Sequence, residues 1–459
     1  LKANCVIYFL LKNALCKDLH GVAIKKFNTQ DYLGYFMQHK RIVIVGGGFG
    51  GLILTKSLRH SPHEIILIDK QNHHLFQPLL YQVATASLSA ADIAVPLREI
   101  FKSNPNVNVM MGDVVDINKD HKTLTLGNGD KVHYDYLVLA VGAKHSYFGK
   151  DEWEQFAPGL KTIEDALTIR EKVLFSFEKA ERLKSPEEAA SYLNFVVIGG
   201  GPTGVEMSGA IAEIAKSTLY HNYRKIKPEN SKIYLLEGLP RILPVYPESL
   251  SNRAKKDLES MGVEVINNKM VTSITDEGVQ VGDLFIPCKN VIWAAGNQAS
   301  PILKKLGTPL DRAGRALVEP DLSIPDHSNI FVIGDAACAI GVDGKPLPGV
   351  APVAMQQGRY LGKILKKLVP QEKRKPFKYF DKGTMSTIGK AKAVGFSHGI
   401  KFTGIIAWLA WCFLHVMYLI GFRNRLSVML QWSFHYLTGN RGARIIYGSI
   451  DEDLPKSKS

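Results

Sequence analysis

Val43-Ile44-Val45-Gly46-Gly47-Gly48-Phe49-Gly50-Gly51 decides the fold, and Val196-Val197-Ile198-Gly199-Gly200-Gly201-Pro202-Thr203-Gly204 repeats it 153 residues later. Each stretch fits G-x-G-x-x-G, and each follows a short β-branched run. The pattern alone is a weak signal. Its context makes it specific, because a buried strand leads into a glycine turn and then a helix whose N-terminus can hold a pyrophosphate. The first glycine makes the turn, the second lets the backbone approach phosphate, and the third lets helix pack on strand. A chain with two such sites is built to hold two dinucleotides, and electron transfer between them is the natural reason.

An acid follows each fingerprint. Glu64-Ile65-Ile66-Leu67-Ile68-Asp69 ends in a carboxylate 18 residues after Gly51, and Lys232-Ile233-Tyr234-Leu235-Leu236-Glu237 ends in one 33 residues after Gly204. A carboxylate in this place accepts hydrogen bonds from ribose hydroxyls and repels a 2′-phosphate. Glu237 therefore favours NADH over NADPH, and nearby Arg241 is expected to soften that preference.

The 459 residues suffice for two or three domains with a large core. The net charge of +14 is unevenly spread. From Arg359 onward there are 18 Lys and Arg against 5 Asp and Glu, so the rest of the chain is almost neutral. A basic tail suits nucleic acid or an anionic membrane surface. Its apolar content favours the membrane and leaves nucleic acid a weak third reading. The cysteines, Cys5, Cys16, Cys288, Cys338 and Cys412, are scattered, with no C-x-x-C and no zinc spacing. An odd, sparse set fits a reducing compartment, and no metal is expected.

Residues 1–37 read as a leader, disordered or non-native. The segment is Lys-rich and lacks Arg, and Met37 stands as the functional start. Further on, Tyr134-Asp135-Tyr136-Leu137-Val138-Leu139-Ala140-Val141-Gly142-Ala143 and Val291-Ile292-Trp293-Ala294-Ala295-Gly296 are strands ending at small-residue turns, where the chain is expected to cross between its two dinucleotide domains. Ile330-Phe331-Val332-Ile333-Gly334-Asp335 is another strand with a terminal acid, which also has the sequence of a helix N-cap.

From about Lys40 to about Tyr447 the chain resembles the type II NADH dehydrogenases, single-subunit NADH:quinone oxidoreductases that do not pump protons. The specific stretches are Leu75-Phe76-Gln77-Pro78-Leu79-Leu80-Tyr81-Gln82-Val83-Ala84-Thr85, Gly199 to Glu206, Ala351 to Gly358, and Asp381-Lys382-Gly383-Thr384-Met385. The resemblance implies an α/β fold with two Rossmann-like domains, as in glutathione reductase, plus C-terminal membrane-associating helices. It assigns residues 38–154 and 296–364 to FAD, 155–295 to NADH, and 365–459 to membrane anchoring. FAD contacts fall on Gly46, Gly47, Gly48, Phe49, Gly50, Gly51, Asp69, Lys70, Val114, Ala140, Gly142, Asp335, Ala351 and Lys382. NADH contacts fall on Gly199, Gly201, Gly204, Glu237 and Gly296. Glu206 is the expected catalytic residue, serving the nicotinamide and quinone half-reactions, although an acid in a first helical turn also satisfies the dipole. Quinone contacts fall on Gln356, Gln357 and Met385. The family's first quinone-site glutamine is Pro352 here, and a proline ring offers no donor.

Phe402–Phe422 is 21 residues without Asp, Glu, Lys or Arg, long enough to span a bilayer by hydropathy. Basic residues flank both ends, and a second apolar segment, Leu426–Leu437, follows. An interfacial platform therefore ranks first, a spanning helix second, and a cover for the protein body or for a homodimer interface third. The expected location is the cytoplasmic face of the cell membrane, or the mitochondrial inner membrane in a eukaryote. Two other functions stay open. A sulfide:quinone oxidoreductase would need placed cysteines such as Cys288 and Cys338. An NADH-sensing flavoprotein would reoxidise slowly.

Overall fold

The computed structural model describes residues 39–446, and the elements below belong to one unit that begins at Arg41. The whole leader, including Met37, and residues 447–459 lie outside the described residues.

Strand β1 (Arg41–Val45) enters the glycine turn and α1 (Phe49–Leu58), and β2 (Glu64–Asp69) returns parallel beside it. Strand β3 (Val107–Met111) extends the sheet beyond β2, and β4 (Tyr136–Leu139) pairs on the other side of β1. The long helix α2 (Ile163–Arg182) leads to the second repeat. There β5 (Asn194–Ile198), α3 (Pro202–Glu213), β6 (Lys232–Leu236), α4 (Glu248–Ser260), β7 (Val263–Ile266) and β8 (Asn290–Trp293) follow one another. The chain then rejoins the first sheet through β9 (Ser323–Ile324) and β10 (His327–Val332), and continues into α5 (Ala351–Lys366). Strand order is β9-β10-β4-β1-β2-β3 in the first sheet and β7-β6-β5-β8 in the second. Both crossings run in one antiparallel ribbon, Ala143–His145 against Asn297–Ala299.

Alternation along the two fingerprint strands sets the layers. Ile42 and Ile44 pack with Leu52, Leu54 and Leu58 of α1, while Val43 and Val45 pack with Leu124 and Val132 of an antiparallel meander. In the second repeat Phe195 and Val197 join the helix-rich core, and Val196 and Ile198 pack on Val279 and Ile286 of an equivalent meander. Strands covered on both faces read as continuous apolar runs, which is what the sequence shows.

The C-terminal part adds an antiparallel sheet, β11 (Thr384–Gly389), β12 (Lys392–Ser397) and β13 (Ile400–Thr403), then α6 (Gly404–Tyr418) and α7 (Phe422–Thr438). The run read as a possible span is thus divided. Gly404 (φ +66°) starts α6, and Gly421 (φ +86°) separates it from α7. Fifteen helical residues reach about 22 Å, short of the ~30 Å hydrocarbon core. Among the described residues no helix is long and apolar enough to cross a membrane. Trp411 and Trp432 face inward with ring centroids 5.5 Å apart. Thirteen large apolar side chains between Ile405 and Leu437 are exposed, far more than a solvated helix pair carries.

Candidate functional site

The first fingerprint performs three separate steric tasks. Gly46 has φ +104°, and a Cβ there would stand 2.3 Å from the Ala140 carbonyl oxygen. A Cβ on Gly51 would stand 1.8 Å from the Gly46 carbonyl oxygen, so this glycine lets α1 sit against the turn and does not line the cleft. Above Gly48 there is nothing within 4 Å, which leaves open space at the N-terminus of α1. The Gly47 amide donates to Asp69 Oδ2 at 2.5 Å, and the Gln71 amide donates to Oδ1 at 2.8 Å. Burial raises the Asp69 carboxyl against these hydrogen bonds. Behind the turn, His74 Nδ1 lies 2.9 Å from the Gly47 carbonyl, and burial lowers its pKa to about 4, so it is neutral.

These groups edge a cleft of about 750 Å³ at the carboxyl ends of β1, β2, β4 and β10. Open parallel sheets bind ligands in this place, where the strand order reverses between β1 and β4. The cleft contains Gly46, Gly47, Gly48, Phe49, Gly50, Asp69, Lys70, Val114, Ala140, Gly142, Asp335 and Ala351, all expected from the sequence. Two helix N-termini meet there, because Ala351 and Ala354 of α5 line it as well. The close approach of α5 to α1 requires glycine, since a Cβ on Gly358 would lie 2.6 Å from the Gly50 carbonyl oxygen. Asp335 sits in a single tight turn, Gly334–Ala336, followed by a strand, so the expected N-cap has no helix to cap. Burial raises its carboxyl, with Lys161 and Arg315 opposing. A narrow open channel over glycine, two helix ends and a ribose-height acid fit FAD.

The second fingerprint repeats the first nearly atom for atom. Gly199 has φ +110°, a Cβ on Gly204 would stand 1.8 Å from the Gly199 carbonyl oxygen, and nothing lies within 4 Å above Gly201. Glu237 accepts the Gly200 amide at 2.6 Å and the Leu239 amide at 2.8 Å. Gly296 (φ +75°) turns the chain beside Phe148 and Ser146. Arg241 departs from expectation. Its guanidinium donates to Tyr246 O, Ser251 Oγ and Pro244 O at 2.7 to 2.8 Å, so it is committed to its own loop. Thr203, in the first turn of α3, lines the first cleft, so the helix that opens from the second fingerprint reaches the first site.

Glu206 lies one turn further along α3 and is not part of the main cleft. It lines a separate cavity of about 20 Å³ on the side of the C-terminal helices. Ser386 Oγ donates to its Oε1 at 3.5 Å, and burial pushes its pKa up to about 8 despite a hydrogen bond from the Thr387 backbone. It is densely surrounded yet retains some accessible surface, as a group lining an internal cavity does.

Three expected contacts change character. Lys382 donates to the Tyr418 hydroxyl at 3.3 Å and is not in the cleft. Gln357 is buried and accepts the Gly334 amide at 2.7 Å, so it props the turn that carries Asp335. Gln356 both donates to the Phe380 carbonyl at 2.8 Å and accepts the Phe380 amide at 3.0 Å. Met385 packs partly buried against the helix-rich core. Cys288 and Cys338 are buried and outside the cleft, and burial raises both thiols, that of Cys288 to about 12. They are inert, not poised for sulfur chemistry.

Sequence reasoning missed Lys161 and Thr162, which enter the cleft from the connection before α2, and Glu164 in the first turn of that helix. No motif marks them. It also missed a line of rings. Phe49 in the cleft meets Phe76 at 5.8 Å, Phe76 meets His415 at 6.1 Å, and His415 stacks on Trp411 at 4.0 Å. The quoted Leu75–Thr85 stretch held the clue for Phe76, but its partner on α6 is remote in sequence.

A family profile described as pyridine nucleotide-disulphide oxidoreductase matches residues 40–358. The chain is 43% identical over 423 residues to the type II NADH:quinone oxidoreductase NdhA of Mycobacterium tuberculosis, covering 88% of this chain and 89% of that one. It is 42% identical to the same organism's Ndh, also over 88% and 89%. The fold matches the solved NDH2 of Plasmodium falciparum in complex with NADH, with a TM-score of 0.80 at 21% identity over 88% of this chain and 99% of that one.

Proposed function

The chain belongs to the type II NADH:quinone oxidoreductases, FAD-dependent enzymes that oxidise NADH and reduce quinone without pumping protons, and we propose how its own residues divide that work. Bound FAD supplies the two-electron acceptor for hydride and the two-electron donor for quinone. In the domain reading, residues 38–154 and 296–364 hold FAD, 155–295 hold NADH, and 365–459 meet the membrane.

The Gly48 opening and the ends of α1 and α5 hold the FAD pyrophosphate, and Asp69 holds the adenosine ribose. Lys70 and Val114 flank the adenosine end. Ala140, Gly142 and Asp335 border the inner end of the cleft. The pyrophosphate of NADH runs over Gly201, Glu237 takes its ribose hydroxyls, and Gly296 turns beside it. With Arg241 engaged elsewhere, nothing on this loop welcomes a 2′-phosphate, which supports NADH as the preferred donor. The observation that carries the reading is Thr203. A residue of the second fingerprint lies in the wall of the first cleft, so one helix directs nicotinamide toward flavin. Holding the two rings in contact supplies much of the rate by proximity.

Glu206, protonated at neutral pH by burial, holds a proton for the quinone. Met385 is an apolar quinone contact. Gln356 and Gln357 act as positioning residues, through Phe380 and Gly334 respectively. The exposed faces of α6 and α7, with Lys401, Arg423 and Arg425 at their ends, lie in the bilayer interface on the cytoplasmic side, or on the mitochondrial inner membrane in a eukaryote. The rings from Phe49 to Trp411 run from the cleft to the inward side of α6, behind that exposed face. A homodimer is the competing occupant of the apolar face. Mass photometry with and without liposomes separates the two.

The decisive experiment is anaerobic stopped-flow absorbance, with NADH first and a short-chain quinone second. Rapid bleaching followed by rapid reoxidation is expected. Bleaching without reoxidation indicates a sensor, and absence of bleaching overturns the assignment of the second fingerprint to NADH.

A further inference from the structure

Quinone reduction by NADH consumes one solvent proton per turnover, NADH + H⁺ + Q → NAD⁺ + QH₂. NADH brings two electrons and one proton as hydride, so the second proton must travel to the site. If Glu206 holds it, as read above, Glu206 must be reloaded after each turnover. Most of its surroundings cannot do this. Tyr81 from the helix Leu80–Ala84 and Tyr246 from the loop before α4 approach it, and burial raises both phenols above their usual range. Ser386 and Thr387 of β11 close another side. The small cavity forms a further side.

That cavity of about 20 Å³ can hold one water, which needs roughly 10–15 Å³. Glu206, Tyr81 and Ala210 line it within the fold. Glu213, His435, Lys390 and Arg441 also line it, and Lys390 is exposed while Glu213 and His435 are half-buried, so this side reaches solvent. Arg441 is 3% exposed. Its Nη1 donates to Thr85 O at 2.7 Å and its Nη2 to Glu213 Oε2 at 2.9 Å. Its Nε has no partner among the described residues. Leaving a buried charged donor unsatisfied is costly. The other oxygen of Glu213 accepts the Lys390 amide at 2.6 Å. On α7, Tyr436 is a further raised phenol, and burial together with Arg441 and Lys390 lowers His435.

We propose that this cavity is a water site, filled by one molecule that accepts from Arg441 Nε–H, and that protons pass through it between Glu213 or His435 at the surface and the Glu206 carboxyl. Arg441 is a positioning residue in this scheme, and Ala210 and Ser87 keep the space open. The proton entry then lies on the C-terminal segment beside the lipid-facing helices.

The test fills the space. Ala210→Val adds two methyl groups from α3, and Ser87→Val changes an independent wall in case the first variant folds poorly. Both should bleach with NADH as the parent does. Both should be reoxidised by quinone at least about tenfold more slowly, with a larger solvent deuterium isotope effect and with rescue by formate or imidazole. A readout independent of turnover is hydrogen–deuterium exchange of the Glu206 carboxyl in the resting enzyme. It is followed through its infrared C=O stretch, assigned by its loss in Glu206→Gln. Slowed exchange in both valine variants supports the water site. Parental exchange and reoxidation in a folded variant overturn it. If Glu206→Gln itself reoxidises at the parental rate, the assignment of Glu206 fails instead, and with it the route.

Discussion

Gly201→Ala and Gly204→Ala differ by three positions and should fail in different ways. Gly201 has φ −71° and ψ 180°, which alanine adopts freely, and nothing lies within 4 Å of the added Cβ. The fold should therefore keep its melting temperature, or gain slightly from the restrained unfolded chain. The new methyl occupies the space assigned to the NADH pyrophosphate. Displacing phosphate from one or two backbone N–H groups forfeits charge-assisted bonds worth ~1.5–3 kcal/mol. At tenfold per ~1.4 kcal/mol, NADH affinity should fall about 10- to 100-fold. Gly204→Ala instead drives a Cβ to 1.8 Å from a carbonyl oxygen, backbone against backbone. The start of α3 must move by more than ~1 Å, which costs ~1–3 kcal/mol or more in packing and on the order of 100-fold in hydride transfer. Thermal melting and anaerobic stopped-flow bleaching across NADH concentrations separate the two, with FAD content as the control. Parental NADH affinity in Gly201→Ala would refute the assignment of that open space to the pyrophosphate. A large loss of melting temperature in the same variant would refute the steric reasoning.

Three further outcomes are expected. Arg241→Ala should leave the NADH:NADPH preference within about twofold while lowering thermal stability, since the guanidinium serves its own loop and three hydrogen bonds are lost. A sharp rise in NADH preference would show that Arg241 does meet the 2′ position. His74 titrates near 6.5 when unfolded and at about 4 when folded, so the unfolded chain binds the extra proton between those values. Its contribution is present above pH 6.5 and is lost as pH falls through 4, on the order of 3 kcal/mol in all. Urea midpoints from pH 7.5 to 4.5 should decline less steeply for His74→Gln, and an identical slope would count against the burial argument. Replacing both Phe413 and Phe422, which are 64% and 81% exposed, with Ser should weaken liposome binding by at least about 100-fold. That follows from ~1.5–3 kcal/mol per large apolar side chain. Reduction of a water-soluble quinone should persist, and unchanged liposome binding would move the contact to another surface.

The two fingerprints and the two acids were fully legible in the sequence because their constraints are local. A glycine turn, its strand and its helix lie within a dozen residues, and the geometry at Gly46 and Gly199 follows from backbone sterics alone. The inward residues of the doubly wound sheets were legible for the same reason, as continuous apolar runs in which alternate side chains serve opposite layers. Composition also announced the basic, aromatic C-terminal part. What only the tertiary structure decided are relations between distant segments. Lys161 lines the cleft from the connection before α2, and linkers have no periodicity to read. Gln356 and Gln357 look like ligand donors until Phe380 and Gly334 arrive to take their hydrogen bonds. The 21-residue apolar run looks like a span until two glycines with positive φ divide it. Glu206 was found by motif, but its direction was not. A side chain one helical turn past a fingerprint can face either of two cavities, and the packing of β11 and Arg441 against α3 sets it toward the smaller one. Local sterics are written in neighbouring residues, whereas hydrogen-bond partners and cavities depend on which segments the whole fold brings together.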